Sequence, residues 1–167
     1  MTIEELMIRV DTLEQQIAEV NDLEKVRQLQ YYYLNCLALT RWDQLLDCFA
    51  PDARMELTDA WHEDMICLNG LEEIKERFVD TISQAHHGTD APYVVHPIVK
   101  KEGDCIKGNF MLYWLWSYQR TGQMLFWQQL IYDNDYVRVN GQWKIQVLRL
   151  FGRLGPPTGM EPPFLGT

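Results

Sequence analysis

The chain has 167 residues, 47% of them hydrophobic and 23% charged, with a formal net charge of −9. This profile suits one soluble domain with its own core. The acidic balance and the absence of any Lys/Arg cluster exclude the basic face of a nucleic-acid binder and disfavour polyanionic partners.

The N-terminal stretch carries apolar residues Ile3, Leu6, Val10, Leu13, Ile17 and Val20 at spacings 3-4-3-4-3, a heptad seam on one helical face. The next two heptad positions are Glu24 and Arg27, so the seam stops at Asn21-Asp22. A second helix is expected to start there in a new phase, with Asp22 as N-cap. Val26, Leu29, Tyr33 and Leu37 form its apolar face. The arm 1–21 then packs either on its own domain or on another subunit, and the spacing leaves both open. RWDQLLDCFAPDA predicts a short helix over 41–49, closed by Pro51. ARMELTD alternates like a strand. GLEEIKERFVDTISQAH predicts a third helix, with Leu71, Ile74, Phe78 and Ile82 at helical spacing.

After residue 90 the texture changes. PYVVHPIVKKEGD, CIKGNFMLYWLWSYQ, LFWQQLIYDNDYVRV and QWKIQVLRLF are long β-rich runs joined by EGD, RTGQ and NGQ, turn signals of hairpin type. Helices first and an antiparallel meander after predict an α+β fold with helices on one face of a curved sheet. The segment 153–167 holds four of the chain's seven prolines and is expected to run as an extended arm over the surface or a neighbour. Neither a repeat nor a linker interrupts the chain, so 1–167 is expected to form one domain.

No apolar run approaches the roughly 18 residues of a membrane span, and the acidic start MTIEEL is unlike a secretory leader. A cytoplasmic location with no membrane partner is expected. Cys36, Cys48, Cys67 and Cys105 are widely spaced and read as reduced, mostly buried thiols.

Period-2 alternation sends Trp114, Trp116 and Tyr118 to one face of a strand and Tyr113 to the other. These rings either fill an ordinary core or wall a flat pocket. Trp and Tyr need polar partners when buried, and one of Gln128 and Gln129 must point to the same side. Three of the four histidines, His86, His87 and His96, fall within residues 85–97. They form no HxH or HxxxH pair, so a metal site is not expected. His96, before Pro97, reads as a partly buried structural residue. His62 reads as a loop residue, although its loop, with Trp61, can rim a pocket.

The order of these elements resembles the SnoaL-like proteins of the nuclear-transport-factor-2-like fold. The residues that carry the likeness are YYYLNCLALTRWDQLLDCFAPDA with Trp42-Asp43, HHGTD, and YVRVNGQWKI with Tyr136, Gly141 and Trp143. It covers nearly the whole chain, and its look is nearest to the branch of bile-acid 7α-dehydratase and scytalone dehydratase. The resemblance implies a cone-shaped, curved mixed or antiparallel sheet (an α+β barrel) with helices closing an apolar pocket. It implies a cofactor-independent lyase (a dehydratase) or isomerase acting on a hydroxylated, carbonyl-bearing polycyclic, steroid- or polyketide-like molecule. It also implies a homo-oligomer, trimer or dimer.

Dehydratases of this kind use a Tyr, a His and an Asp. Carried over, the Tyr falls on Tyr33 and the general-base His on His86 or His87, with His86 favoured because Asp90, four residues on, stands where relatives often place a small polar residue. The pocket would be lined by Trp61, Trp114, Trp116, Gln128 and Tyr132. The orienting Asp falls on Ala38, and the second His of scytalone dehydratase on Trp116, so both departures open a second reading, a non-catalytic small-molecule-binding protein. Asp90, Glu56 and Asp59 are the acids that could substitute, each read first as a solvated carboxylate. Asp43 reads as a helix N-terminal residue.

Overall fold

The computed structural model describes residues 1–58, 65–85, 91–117 and 124–155. Its first element is one helix, α1, Ile3–Ala38. Thr2 caps it with Glu5 in a reciprocal box: the Thr2 amide donates to Glu5 Oε2 at 2.7 Å and the Glu5 amide to Thr2 Oγ1 at 3.2 Å. The helix ends where Thr40 takes a positive φ of 53° and Arg41 N–H reaches back to the Cys36 carbonyl at 2.8 Å.

The break expected at Asp22 does not occur. Asp22 is no N-cap; its carboxylate accepts from Trp143 Nε1 at 3.1 Å and pairs with Arg138. The side chain is used across the fold, which leaves the backbone free to stay helical. Arg138 lies over the Trp143 ring, 5.1 Å from its centroid. α1 thus runs from an arm whose seam residues are exposed to a C-terminal half that buries Val26, Gln30, Tyr33, Leu34, Cys36 and Leu37. Packing of the arm on its own domain is overturned.

α2 spans Trp42–Leu46. β1, Phe49–Thr58, runs through Pro51 rather than starting after it. Pro51 is tolerated because the pairing with β6 is irregular between Phe49 and Arg54. β2, Ile66–Asn69, pairs antiparallel with β1. The expected third helix is helical over Gly70–Ala85, as α3 (Gly70–Glu73), a π-helical stretch (Ile74–Val79) and α4 (Asp80–Ala85). Ile74, Val79 and Ile82 are buried.

The meander follows as β3 (Ala91–Glu102), β4 (Cys105–Ser117), β5 (Met124–Val139) and β6 (Gln142–Leu154). Arg153 and Leu154 belong to β6, so the extended tail cannot begin at residue 153; residues 156–167 lie outside the described part. The strand order is β2-β1-β6-β5-β4-β3, with β1 parallel to β6 and every other pair antiparallel. The sheet is mixed and open, with β2 and β3 as edges, rather than a closed barrel. The β5–β6 turn puts Asn140 at φ 49° and Gly141 at φ 80°, the two positive angles that a tight Asn-Gly hairpin needs. His96 is not the partly buried residue expected. It is exposed at φ 52°, where the β3–β4 register slips between Val95 and Ile98, because a Pro97 without an N–H favours a bulge.

The sheet has two distinct faces. On β4, Ile106, Gly108, Phe110, Leu112, Trp114 and Trp116 point inward and are buried. On the outer face an ionic row crosses four strands. Lys107 meets Asp135 at 2.6 Å, Asp135 meets Arg149 at 2.9 Å, and Arg149 meets Glu56 at 3.3 Å. Burial disfavours the Asp135 carboxylate, but the hydrogen bonds from Arg149 and Lys107 outweigh it and hold its pKa below the usual carboxylate range.

Gly108 marks the tightest packing on the inner face. A Cβ there would stand 2.7 Å from Phe110 Cε2 and 2.9 Å from Tyr136 Cε2, so both rings would have to move. Gly108→Ala is expected to destabilise the fold by about 1–3 kcal/mol, read as a lower urea midpoint with unchanged slope.

Candidate functional site

The inner face of β5 follows from a simple rule: residues two apart share a side. Phe126, Gln128, Leu130, Tyr132, Asn134 and Tyr136 all point inward and are buried. On the covering helix, Val26, Gln30, Tyr33 and Leu37 repeat at 4-3-4 and meet that row. Gln30 Oε1 accepts from Tyr136 Oη at 2.6 Å and from Asn134 Nδ2 at 3.0 Å. Asn134 Nδ2 also reaches Tyr136 Oη at 3.3 Å, and Asn134 Oδ1 accepts from the Arg149 amide at 3.0 Å.

One turn further along α1, Tyr33 is fully buried. Its ring lies edge-on to Phe49, centroids 5.7 Å apart, and edge-on to Tyr132 at 6.2 Å. Its hydroxyl has no hydrogen-bond partner within the protein. Burial first, and the neighbouring Tyr132 phenol second, push Tyr33 well above the ordinary phenol range. Burial likewise raises Tyr132 and Tyr136. The phenols are therefore neutral donors and not bases.

Toward the other end of the sheet stand the aromatic side chains. Trp114 stacks on Trp116 with centroids 5.0 Å apart and planes 9° from parallel, and Trp116 stacks on Phe126 at 6.1 Å. Trp114 is opposite Gln128 in the β4–β5 register. Of the two adjacent glutamines, Gln128 is the inward one. Its Oε1 accepts from Trp116 Nε1 at 3.2 Å, and its Nε2 has no partner. Gln129 points outward and donates to Tyr113 Oη at 2.6 Å.

The fold brings Tyr33 and Tyr132 into ring contact and groups Trp114, Trp116 and Gln128 on one wall. His86, His87 and Trp61, with Asp59, His62, Asp90 and Tyr118, lie outside the described residues. The chain flanking them is informative. Thr58 is opposite Phe151, Ala91 opposite Leu115, and Ser117 opposite Met124. The strand ends from which segments 59–64, 86–90, 118–123 and 156–167 depart therefore all sit at the Trp114–Gln128 end of the sheet.

Glu56 is removed as a partner for a histidine. It is held at the outer face by Arg54 at 3.1 Å and by Arg149. Asp43 is exposed in the first turn of α2, as expected of a helix N-terminal residue. Ala38 is half-buried as the last residue of α1. Among the described residues, the buried polar side chains other than the phenols and indoles are amides, Gln30, Gln128, Gln129 and Asn134, with no carboxylate. Gln30 and Asn134 were missed in the sequence. The available signal was a Gln within the 4-3-4 apolar spacing of a helix and an Asn in register with the inward aromatic residues of a strand. Of the cysteines, Cys36 and Cys48 are buried while Cys67 and Cys105 are half-buried; burial pushes the Cys48 thiol up to about 12.

The sequence matches the family model of the SnoaL-like domain over residues 18–149. The chain belongs to the SnoaL-like family. No curated protein sequence matches it. Several solved structures resemble this SnoaL-like protein. Hexachlorocyclohexane dehydrochlorinase LinA-type3 from Novosphingobium barchaimii has a TM-score of 0.68 at 15% identity, over 87% of this chain and 97% of that one. A nuclear-transport-factor-2-like protein with a cystatin-like fold from Novosphingobium aromaticivorans gives 0.65 at 15% identity, over 90% of each chain. A protein of unknown function from Mycobacterium tuberculosis gives 0.65 at 16% identity, over 87% of this chain and 77% of that one. At such identities the likeness is one of fold. Among the described residues no helix is long and apolar enough to cross a membrane.

The buried phenols carry a pH signature. The unfolded chain ionises its tyrosines near pH 10, while Tyr33, Tyr132 and Tyr136 hold their protons in the fold. Stability is therefore full below about pH 10 and falls as pH rises further, since the unfolded state then binds fewer protons. A phenolate absorbance titration is expected to leave at least these three of the eight tyrosines silent until the protein unfolds, and Tyr33→Phe is expected to lower the silent number by one.

Proposed function

We propose that this protein is a cofactor-independent lyase (a dehydratase) or isomerase acting on a hydroxylated, carbonyl-bearing polycyclic molecule of steroid or polyketide type. The observation that carries the reading is the set of buried donors on the inner face. Tyr33 Oη, Gln128 Nε2 and Gln30 Nε2 are shielded from solvent and have no partner in the protein. Each such atom costs about 1–3 kcal/mol, a cost that a ligand carrying acceptor oxygens would offset. The flat wall of Trp114, Trp116 and Phe126 suits fused rings.

In this reading His86, or else His87, removes a proton next to the carbonyl. The neutral Tyr33 hydroxyl donates to the oxygen where negative charge develops. Trp61, Trp114, Trp116, Gln128 and Tyr132 hold the rings. Loss of the β-hydroxyl as water completes a dehydration; return of the proton elsewhere completes an isomerisation. The outer-sheet residues Tyr113, Leu115, Trp127 and Ile131, of which Trp127 is exposed, support work as a homo-oligomer, dimer or trimer.

A second reading is favoured by Ala38 and by the lack of a buried carboxylate among the described residues. The protein would then bind the same class of molecule without changing it, because an imidazole with no acid beside it loses orientation and charge stabilisation.

Mass spectrometry of the protein incubated with hydroxy-ketosteroids and hydroxylated polyketide-like aromatics separates the two. Under the lyase reading one water is lost, turnover falls about 100-fold or more in His86→Ala or in His87→Ala, and Tyr33→Phe lowers kcat more than it raises KM. Compound recovered at unchanged mass and unchanged chromatographic retention, so neither dehydrated nor isomerised, with neither histidine variant altering the outcome, supports the binding protein.

A further inference from the structure

The seam of α1 faces away from the domain that carries it. At about 100° per residue, the mean direction of Ile3, Leu6, Val10, Leu13, Ile17 and Val20 lies about 160° around the helix from that of the buried positions 26 to 37. These six side chains are between 43% and 79% exposed. The family domain begins at residue 18, so five of the six seam positions, Ile3 to Ile17, precede it. A continuous helix with an apolar stripe on the side opposite its own core is built for a partner.

We infer that the arms of two copies of this chain pair as a parallel, in-register two-stranded coiled coil over residues 3–20. Four features of the sequence select this occupant. The spacing makes Ile3, Val10 and Ile17 the a positions and Leu6, Leu13 and Val20 the d positions. All three a residues are β-branched and two of the three d residues are Leu, the combination that favours two parallel strands. The flanking g and e positions carry Arg9 and Glu14, five residues apart. In a parallel pair Arg9 of each copy meets Glu14 of the other, giving two symmetric ion pairs; in an antiparallel pair g meets g and e meets e, so the complementarity is lost. The acidic residues Glu4, Glu5, Asp11 and Glu19 fall at b and c, away from the contact. The groove lined by Leu13, Gln16, Ile17, Val20 and Asn21 provides the hole for the partner's side chains.

The pairing ends by construction. The next a and d residues are Glu24 and Arg27, which pair with each other at 3.3 Å within one helix, and from Asp22 onward the helix is tied to Arg138 and Trp143 of its own sheet. Parallel pairing therefore brings both domains to the same end of the coil, side by side.

The test is covalent capture in the full chain, with circular dichroism to confirm folding. In register, the two copies of residue 6 face each other across a d layer at a separation that a disulfide can bridge; in an antiparallel pair centred on the seam they stand about 16 Å apart. Leu6→Cys is expected to give a disulfide-linked dimer under mild oxidation that the unsubstituted protein, with its half-buried Cys67 and Cys105, does not give. Adding Leu13→Glu should abolish the cross-link, whereas adding Ile8→Glu, off the seam, should leave it. Arg9→Glu should slow capture about tenfold, and Arg9→Glu with Glu14→Arg should restore it. A Leu6→Cys protein that stays uncross-linked, or one whose cross-linking survives Leu13→Glu, overturns the inference. Failure of the charge swap to restore capture overturns the parallel orientation. None of these readouts depends on turnover or on the sheet's outer face.

Discussion

The rotation of α1 about its own axis is the constraint on which the rest of the structure turns, and a single amide oxygen fixes it. Gln30 Oε1 accepts from both Tyr136 and Asn134, at 2.6 and 3.0 Å, in a site closed to solvent. Hydrogen bonds in such surroundings are strong, and breaking one strands its partner. A helix held there cannot roll. Tyr33, three residues on, is thereby committed to the inner face, against Tyr132 and Phe49. The same locked rotation carries the seam of the arm, on the opposite side, out into solvent. The second tie, from Asp22 to Arg138 and Trp143, sits where the two faces exchange, and it stiffens the junction between arm and domain.

Much of this was legible in the sequence where a regular period meets a regular element. The heptad spacing of Ile3 to Val20, the inward set Trp114 and Trp116, and the Asn140-Gly141 turn are local signals, and the structure follows them. Three features escaped because their cause is distant or brief. Asp22 looks like an N-cap, since Asp before a change of apolar phase commonly is; its partners lie on β5 and β6, more than a hundred residues on. β2 has four residues, too few for alternation to register. His96 read as a partly buried strand residue because the bulge that exposes it depends on the register of β4, which no local pattern carries. The site divides in the same way. Tyr33, Tyr132, Trp114, Trp116 and Gln128 were accessible through resemblance and strand period, while Gln30 and Asn134 are polar residues in apolar patterns, a departure that carries information only when the opposite element is known.

The inner face has a chemical polarity along its length. At one end Gln30 Oε1, Tyr136 and Asn134 are joined by hydrogen bonds among themselves, which leave Gln30 Nε2 without a partner. In the middle Tyr33 and Tyr132 are phenols whose protons burial holds in place. At the far end Gln128 and the stacked indoles stand beside the strand termini from which the histidine-bearing segment departs. Among the described residues the interior holds no carboxylate, so it is lined with neutral dipoles. Neutral donors in a shielded site can stabilise an oxyanion without the desolvation cost of a fixed charge, but they cannot accept a proton at neutral pH.

Under the lyase reading this forces a division of labour. The group that takes the proton is then none of the buried phenols and amides described, and the group that receives the developing charge is the Tyr33 phenol. The orienting carboxylate that the family resemblance places at Ala38, on the last turn of α1, would share a helix with the phenol. Here that turn contributes only a methyl group. Any acid that orients the base has to come from another part of the chain, with Asp90 and Asp59 as the candidates in the sequence. Orientation of the base would then be decoupled from α1, which is left with two tasks set by its rotation: presenting Tyr33 on one side and the heptad seam on the other.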